Sequence, residues 1–252
     1  MEQLLELSYP YITQSDNNWV YEDANQAFSI LAQRIAGNGE MPGNSTIRLE
    51  NIGFYIAYPE HNQITEKWRE WNPKYAEREW NWYLSHSRDV SELQKHAPVW
   101  KHMHGGDCQV NSNYGWLWNR NKQLQKVITK LQLTSDTRQA WLTLYDGKEM
   151  DDYLYDTPCT LNIGFKICDF GTREVDDQKI LDMTVLMRSN DLIFGFCNDQ
   201  YCFSQLQKYV ASRIGATVGS YYHFAQDLHI YLPKANVYPK HINDYLKDNL
   251  KL

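Results

Sequence analysis

Cys159 follows a proline in the stretch DTPCT, directly ahead of an alternating apolar run. A thiolate there could add to an electron-poor carbon, and a nearby cation would favour the ionised form. The plainer alternative is a small buried hydrophobe. Glu79 lies in AEREWNWYL, among Trp80, Trp82 and Tyr83. A carboxylate against aromatic rings can have a raised pKa and manage protons; a solvated helix glutamate is the competing reading. The stretch MRSNDLIFGFCND, residues 187–199, crowds an arginine, a serine, two asparagines and two aspartates among apolar residues. Polar groups on buried elements cost free energy unless something pairs with them. The stretch is therefore either a strand end running into a solvated turn or the cradle of a polar, anionic ligand. Arg188 within it, and Arg138 in SDTRQAW, could each grip a phosphate, although surface arginines are common. His102, His104 and Cys108 in HMHGGDC are metal-ligand types, but no second ligand pair follows at zinc spacing. No metal is expected.

These side chains must be carried by a fold of limited size. At 252 residues, 42% of them apolar, with nine tryptophans and eighteen tyrosines, the chain can bury a sizeable core. No repeat, low-complexity tract or linker divides it, so one domain over 1–252 is expected. The formal charge of -6 argues against a broad nucleic-acid footprint. An anionic ligand would need a local arginine cluster instead. Five cysteines without CxxC pairing read as reduced thiols of a cytoplasmic protein. The start shows no basic region followed by a long apolar run, and no apolar run approaches the ~20 residues a membrane span needs.

The periodicity predicts a helix over about 20–36, a turn at GNGEMPGN and a strand in NSTIRLENIGFYIAY. A helix rich in Trp and Glu is predicted over 76–96. Leu124, Val127, Ile128 and Leu131 trace an amphipathic helix. Strands follow in QAWLTLY, TLNIGFKI and ILDMTVLM, then a helix marked by Phe203, Leu206, Val210 and Ile214, then a strand in LHIYL. Early helices, successive strands and a late helix predict an α+β fold, with helices against a mostly uncrossed sheet.

Taken in order, seven short elements between about 76 and 232 resemble the thymidylate synthase superfamily. EWNWYL is similar to the family's E-L-x-W-F-L, and VWKHM to the segment with a folate-contacting tryptophan. NYGWLW resembles Y-G-x-x-W, SDTRQ the phosphate-binding double arginine, and DTPCT the proline–cysteine nucleophile. MRSNDLIFG resembles R-S-x-D-x-x-x-G, and QDLHIY the G-D-x-H-x-Y that holds the sugar hydroxyl. VNSNYGW and MRSNDLIFGFCND look like the branch of phage deoxycytidylate hydroxymethylases. Synthases that use uracil nucleotides carry asparagine eleven positions after the arginine of R-S-x-D; here that position is Asp199. An amide complements the N3–H and O4 of uracil, whereas a carboxyl can accept from the amino group of cytosine and share a proton with its N3.

The resemblance implies a mixed sheet with packed helices and a homodimer formed through the sheets. It implies Cys159, Glu79, Tyr114 and Asp199 as catalytic residues. Arg188, Ser189, Arg138, Asp199, His229 and Tyr231 would bind the nucleotide. Trp100, Asp191 and Gly195 would meet the co-substrate, 5,10-methylenetetrahydrofolate. The implied reaction converts dCMP to 5-hydroxymethyl-dCMP, without metal, nucleic-acid or membrane partners. Action on CMP or dUMP, or a thymidylate synthase, are the alternatives. An inactive nucleotide- or RNA-binding module on the same fold is opposed by the presence of both Cys159 and Glu79. Three departures stand out: Gln139 replaces the second phosphate arginine, Thr160 follows the nucleophile, and YLKDNLKL lacks the family's hydrophobic tail. Arg48 is a candidate for the N-terminal phosphate arginine.

Overall fold

The computed structural model describes residues 19–43, 45–169 and 179–252. Its packing divides the chain into two compact units, one formed from residues up to Trp71 with Met187–Ser204 and Gly219–Leu252, the other from Asn72–Leu186 with Gln205–Val218.

The first unit is built on paired strands. Strand β1, Trp19–Tyr21, runs parallel to β2, Thr46–Ile56, and helix α1, Ala24–Asn38, lies between them in sequence. The helix expected over 20–36 therefore begins later. Asp23 takes extended backbone and its side chain accepts from the Gln26 N–H, which fixes the N-terminus. The Trp-Val-Tyr triplet before it suits a strand. Ala24, Ala27, Phe28, Leu31, Ala32 and Ile35 form the buried stripe of α1.

In the second unit, helix α2, Pro73–Ser85, opens with Asn72 accepting from Lys74 and Tyr75 and with proline in its first turn. The helix expected over 76–96 stops at Ser85. His86 takes the left-handed conformation. Beyond it, Ser85 Oγ accepts from Ser87 N–H, Ser87 Oγ from Asp89 N–H and Asp89 Oδ1 from Ser91 N–H. Short polar side chains thus take over the backbone bonding that a helix would need. Helices α3, Tyr114–Asn119, and α4, Gln123–Leu133, follow, the latter burying all four of its expected apolar residues. Strand β3, Trp141–Thr143, pairs antiparallel with β4, Thr160–Asp169, and β5, Lys179–Met187, lies on the other side of β4. The QAWLTLY strand is shorter than its apolar run suggested. In β4, Ile163, Phe165 and Ile167 face the core as the alternation predicted.

Back in the first unit, the two-residue strand β6, Asn190–Asp191, is followed by a π-helical turn, Leu192–Phe196, and helix α5, Cys197–Ile214, starts there. Strand β7, Thr217–Tyr231, is three times as long as the expected LHIYL strand. Its buried positions include Ser220 and His223, so its first half lacks an apolar alternation. β7 runs antiparallel to β2, from Thr46↔Tyr231 to Ile56↔Tyr221, and β6 joins β7 in parallel. The last long strand thus returns to the first, and the sheet is mixed and crossed. The mostly uncrossed arrangement does not hold, because the pairing is non-local and leaves no trace in local pattern. Helix α6, Lys240–Asp248, buries Ile242, Asn243 and Leu246.

Candidate active site

In the second unit, Glu79 is 5% exposed on α2. Tyr83, one turn on, donates to its Oε1 at 3.0 Å, and Tyr75, one turn back, is a second hydrogen-bond partner. Burial pushes the Glu79 carboxyl up to about 7, with the two tyrosines opposing that rise. Trp100 donates its indole N–H to Tyr75 at 2.8 Å, so the expected folate tryptophan is linked to the glutamate through one phenol. Trp100 also packs among Val90, Leu93 and Val110, as a core residue would. The sequence reading placed Tyr83 beside Glu79 but did not single out Tyr75. Their signal was the spacing 75, 79, 83, which places three side chains on one helix face.

Tyr114 opens α3, with its ring 5.5 Å from that of Tyr83. The contact between α2 and α3 depends on Gly115, where an added Cβ would lie 1.7 Å from the Tyr83 carbonyl oxygen. Asn113 is fully buried; it accepts from Trp116 N–H and donates to the carbonyls of Trp82 and Ser87. Cys159 is half-buried between Pro158 and β4. Its turn is held by Asp156, whose Oδ2 accepts from the N–H of Asn111 at 2.7 Å, the N–H of Ser112 at 2.6 Å and the Ser112 hydroxyl at 2.8 Å. Asp156 therefore couples the turn carrying Cys159 to the loop that delivers Tyr114. This second coupling also escaped the sequence reading; an aspartate three residues before a candidate nucleophile was its only mark.

Arg138 is exposed before β3, while Gln139 accepts from Lys130. His104 accepts from the N–H groups of Gly106 and Cys108, so it shapes its own loop. Among the described residues, no group of three His, Cys, Asp or Glu side chains could hold a metal ion.

In the first unit, Arg188 and Ser189 line an open polar pocket of about 460 Å³ with Arg48, Glu50, Asn51, Gln226 and Asp227. Arg48 does not stand ready for a phosphate: Nη1 donates to Asp227 at 2.8 Å and Nη2 pairs with Glu50. Asp227 Oδ1 also holds His229 Nδ1 at 2.8 Å, while His229 Nε2 is buried without a protein partner. A buried ring nitrogen left unpaired fits a site that takes a hydroxyl. The rings of His229 and Tyr231 meet at 5.0 Å. Asp191 caps the π-helical turn, accepting from Ile193 and Phe194 N–H, and it accepts from Tyr238. Both of its carboxylate oxygens are thus engaged within the chain, and Tyr238 in turn accepts from Tyr231 N–H.

Asp199 sits half-buried in the first turn of α5, where a carboxylate suits the helix dipole. Asn190 donates to its Oδ2 at 2.8 Å. Gly195 lies beside this pair: an added Cβ would sit 2.9 Å from Asn190 Nδ2. Cys197, two residues away, is no rival nucleophile, since burial pushes its thiol up to about 12. The stretch over residues 187–199 is therefore a built polar cluster in a buried setting, not a solvated turn.

The fold and the family match define a class. A thermostable thymidylate synthase A from Bacillus subtilis matches the chain with a TM-score of 0.68, over 91% of this chain and 83% of that one, at 18% identity. Residues 31–251 match the thymidylate synthase family model, and the chain belongs to the thymidylate synthase family. Among curated relatives it is 31% identical over 152 residues to a deoxycytidylate 5-hydroxymethyltransferase of Enterobacteria phage T4, covering 57% of this chain and 56% of that protein. It is 30% identical over 182 residues to a deoxyuridylate hydroxymethyltransferase of Bacillus phage SP01, covering 66% and 45%. A thymidylate synthase of Streptococcus suis is 27% identical over 152 residues, covering 59% and 53%. The chain spans about half the length of these curated relatives.

Proposed function

We propose that this protein transfers a one-carbon unit to C5 of a pyrimidine nucleotide and adds water, converting dCMP to 5-hydroxymethyl-dCMP. The supporting observation is Asp199: a half-buried carboxylate, held by Asn190, stands where the resemblance puts the asparagine of uracil-using synthases. Cys159 would add to C6, which makes C5 nucleophilic. 5,10-Methylenetetrahydrofolate would supply the one-carbon unit and leave as tetrahydrofolate; water would add to the methylene left on C5, and the Cys159–C6 bond would break to release the product and the free thiol. Glu79, with a pKa near neutrality, would order water and pass protons. Tyr114 would assist removal of the C5 proton. Asp199 would accept from the cytosine amino group and share a proton at N3. His229, held by Asp227, would meet the sugar hydroxyl through Nε2, with Tyr231 beside it. Arg188 and Ser189 would take the phosphate; Arg138 would reach the phosphate of a partner subunit in a two-fold dimer. Trp100 and Gly195 would lie along the folate, and Asp191 would support that side through the turn it caps.

The second reading is a dUMP hydroxymethylase, favoured by the similarity to the SP01 protein. Incubating the protein with methylenetetrahydrofolate and dCMP, CMP or dUMP, with products identified by mass, separates the readings. The expected result is 5-hydroxymethyl-dCMP as the main product. A methylated product would return the enzyme to the synthases, and hydroxymethyl-dUMP as the main product would establish the second reading.

A further inference from the structure

The proposed base reader, Asp199, has a buried amide neighbour in Asn190. Asn190 is 3% exposed, and its Nδ2 donates to Asp199 Oδ2 at 2.8 Å. Its Oδ1 is buried and meets no hydrogen-bond partner in the protein. Its backbone is fixed by the β6–β7 pairing, Asn190 opposite Leu228. Gly195 leaves the space the amide occupies: a Cβ there would fall 2.9 Å from Nδ2 and 3.5 Å from Asp199 Oδ2. With Oδ1 unpartnered, the Asp199 carboxylate is what orients this amide. The amide, anchored by its strand, reciprocally orients the carboxylate.

We propose that Asn190 is a positioning residue for base choice. This rests on the reading of Asp199 given above. An amide N–H can only donate, so Oδ2 of Asp199 accepts, which favours Oδ1 as the oxygen that carries a proton. The donor thereby fixes both the plane of the carboxyl and the side on which it shares a proton. Cytosine recognition requires both, because the amino group needs an acceptor and N3 needs that proton.

The test compares kcat/KM for dCMP and dUMP, with methylenetetrahydrofolate, for wild type, Asn190→Leu and Asn190→Asp. Asn190→Leu keeps the branched outline, with somewhat more bulk, and removes the donor. It should lower the dCMP-over-dUMP ratio by about tenfold or more, the effect of losing a hydrogen bond to a charged group. The carboxyl introduced by Asn190→Asp can donate only when protonated. Its ratio, taken relative to wild type at each pH, should fall at high pH and recover as pH is lowered, whereas that of Asn190→Leu should stay low throughout. A purely structural role would not produce that recovery. Folded Asn190→Leu with the wild-type ratio would overturn the proposal, as would an Asn190→Asp ratio that does not change with pH. If wild type itself favours dUMP, the reading of Asp199 fails, and the role of Asn190 in cytosine choice falls with it. If wild type favours dCMP and Asn190→Leu does so equally, the positioning role alone fails.

Discussion

Glu79 shows how one helix can hold a carboxyl near neutrality. A glutamate at an exposed helix position would titrate near 4.5; burial and two phenols one turn away leave this one near 7. Its charge state therefore changes near neutral pH, as the proposed proton transfers would require. The same shift carries a stability signature. The unfolded chain releases this proton near 4.5, and the folded chain holds it up to about 7. The folded state binds more protons across that window, so stability falls as pH rises through it. The total loss is on the order of 3 kcal/mol at most. Glu79→Gln should remove this fall, so that the variant is the more stable protein above pH 7, while turnover drops by roughly a hundredfold or more. Thermal denaturation from pH 4 to 8 with parallel kcat measurements checks both. A variant with the wild-type pH slope would show that Glu79 is not buried and protonated as described.

Helix α2, helix α3 and the turn before β4 are useful only in register, and single polar residues set that register. Asn113 ties α3 to the end of α2, and Asp156 ties the Cys159 turn to the residues preceding Tyr114. Asp156→Ala leaves two N–H groups and a hydroxyl without their acceptor in a buried place, at a cost of about 3 kcal/mol. The expected result is a lowered Tm and a kcat that falls more than KM rises, measured with Asp156→Asn as the milder control. An unchanged kcat would show that the turn holds its place without Asp156. These couplings also mark the limit of what was legible. The apolar faces of α4 and β4 were written in local period, and the ordered motifs pointed to the family. Helix α2 was drawn too long because SHSRDVS reads as polar helix until its side chains take the backbone bonds. Strand β7 was mostly missed because its buried face carries Ser220 and His223. The tyrosines around Glu79 were present as spacing; the Asn190–Asp199 bond was not, since nine residues separate its partners across a π-helical turn.

The whole molecule carries a net charge of -6, so the phosphate of the proposed substrate would have to be met by particular arginines and not by a general field. Arg188 lines the polar pocket, whereas Arg138 is exposed and Arg48 is occupied by Glu50 and Asp227. A two-fold dimer in which Arg138 serves the partner subunit would give that exposed arginine its task. Arg138→Ala should raise the KM for nucleotide by roughly tenfold or more with little change in Tm. Mixing it with Cys159→Ala under verified subunit exchange should restore part of the activity, because some mixed dimers then hold one intact site. Absence of any recovery would count against a site shared between chains.

The choice of base is the property on which the proposed activity turns, and Asp199 is the residue assigned to it. The direct measurement is kcat/KM for dCMP and for dUMP, at one folate concentration, on wild type and Asp199→Asn. Wild type should favour dCMP by about tenfold to several hundredfold, the range set by one or two mismatched buried polar groups. Asp199→Asn should move the ratio towards dUMP, since an amide can donate to O4 and accept from N3–H. A wild-type enzyme that favours dUMP, or a variant whose ratio does not move, would contradict Asp199 as the reader of the base.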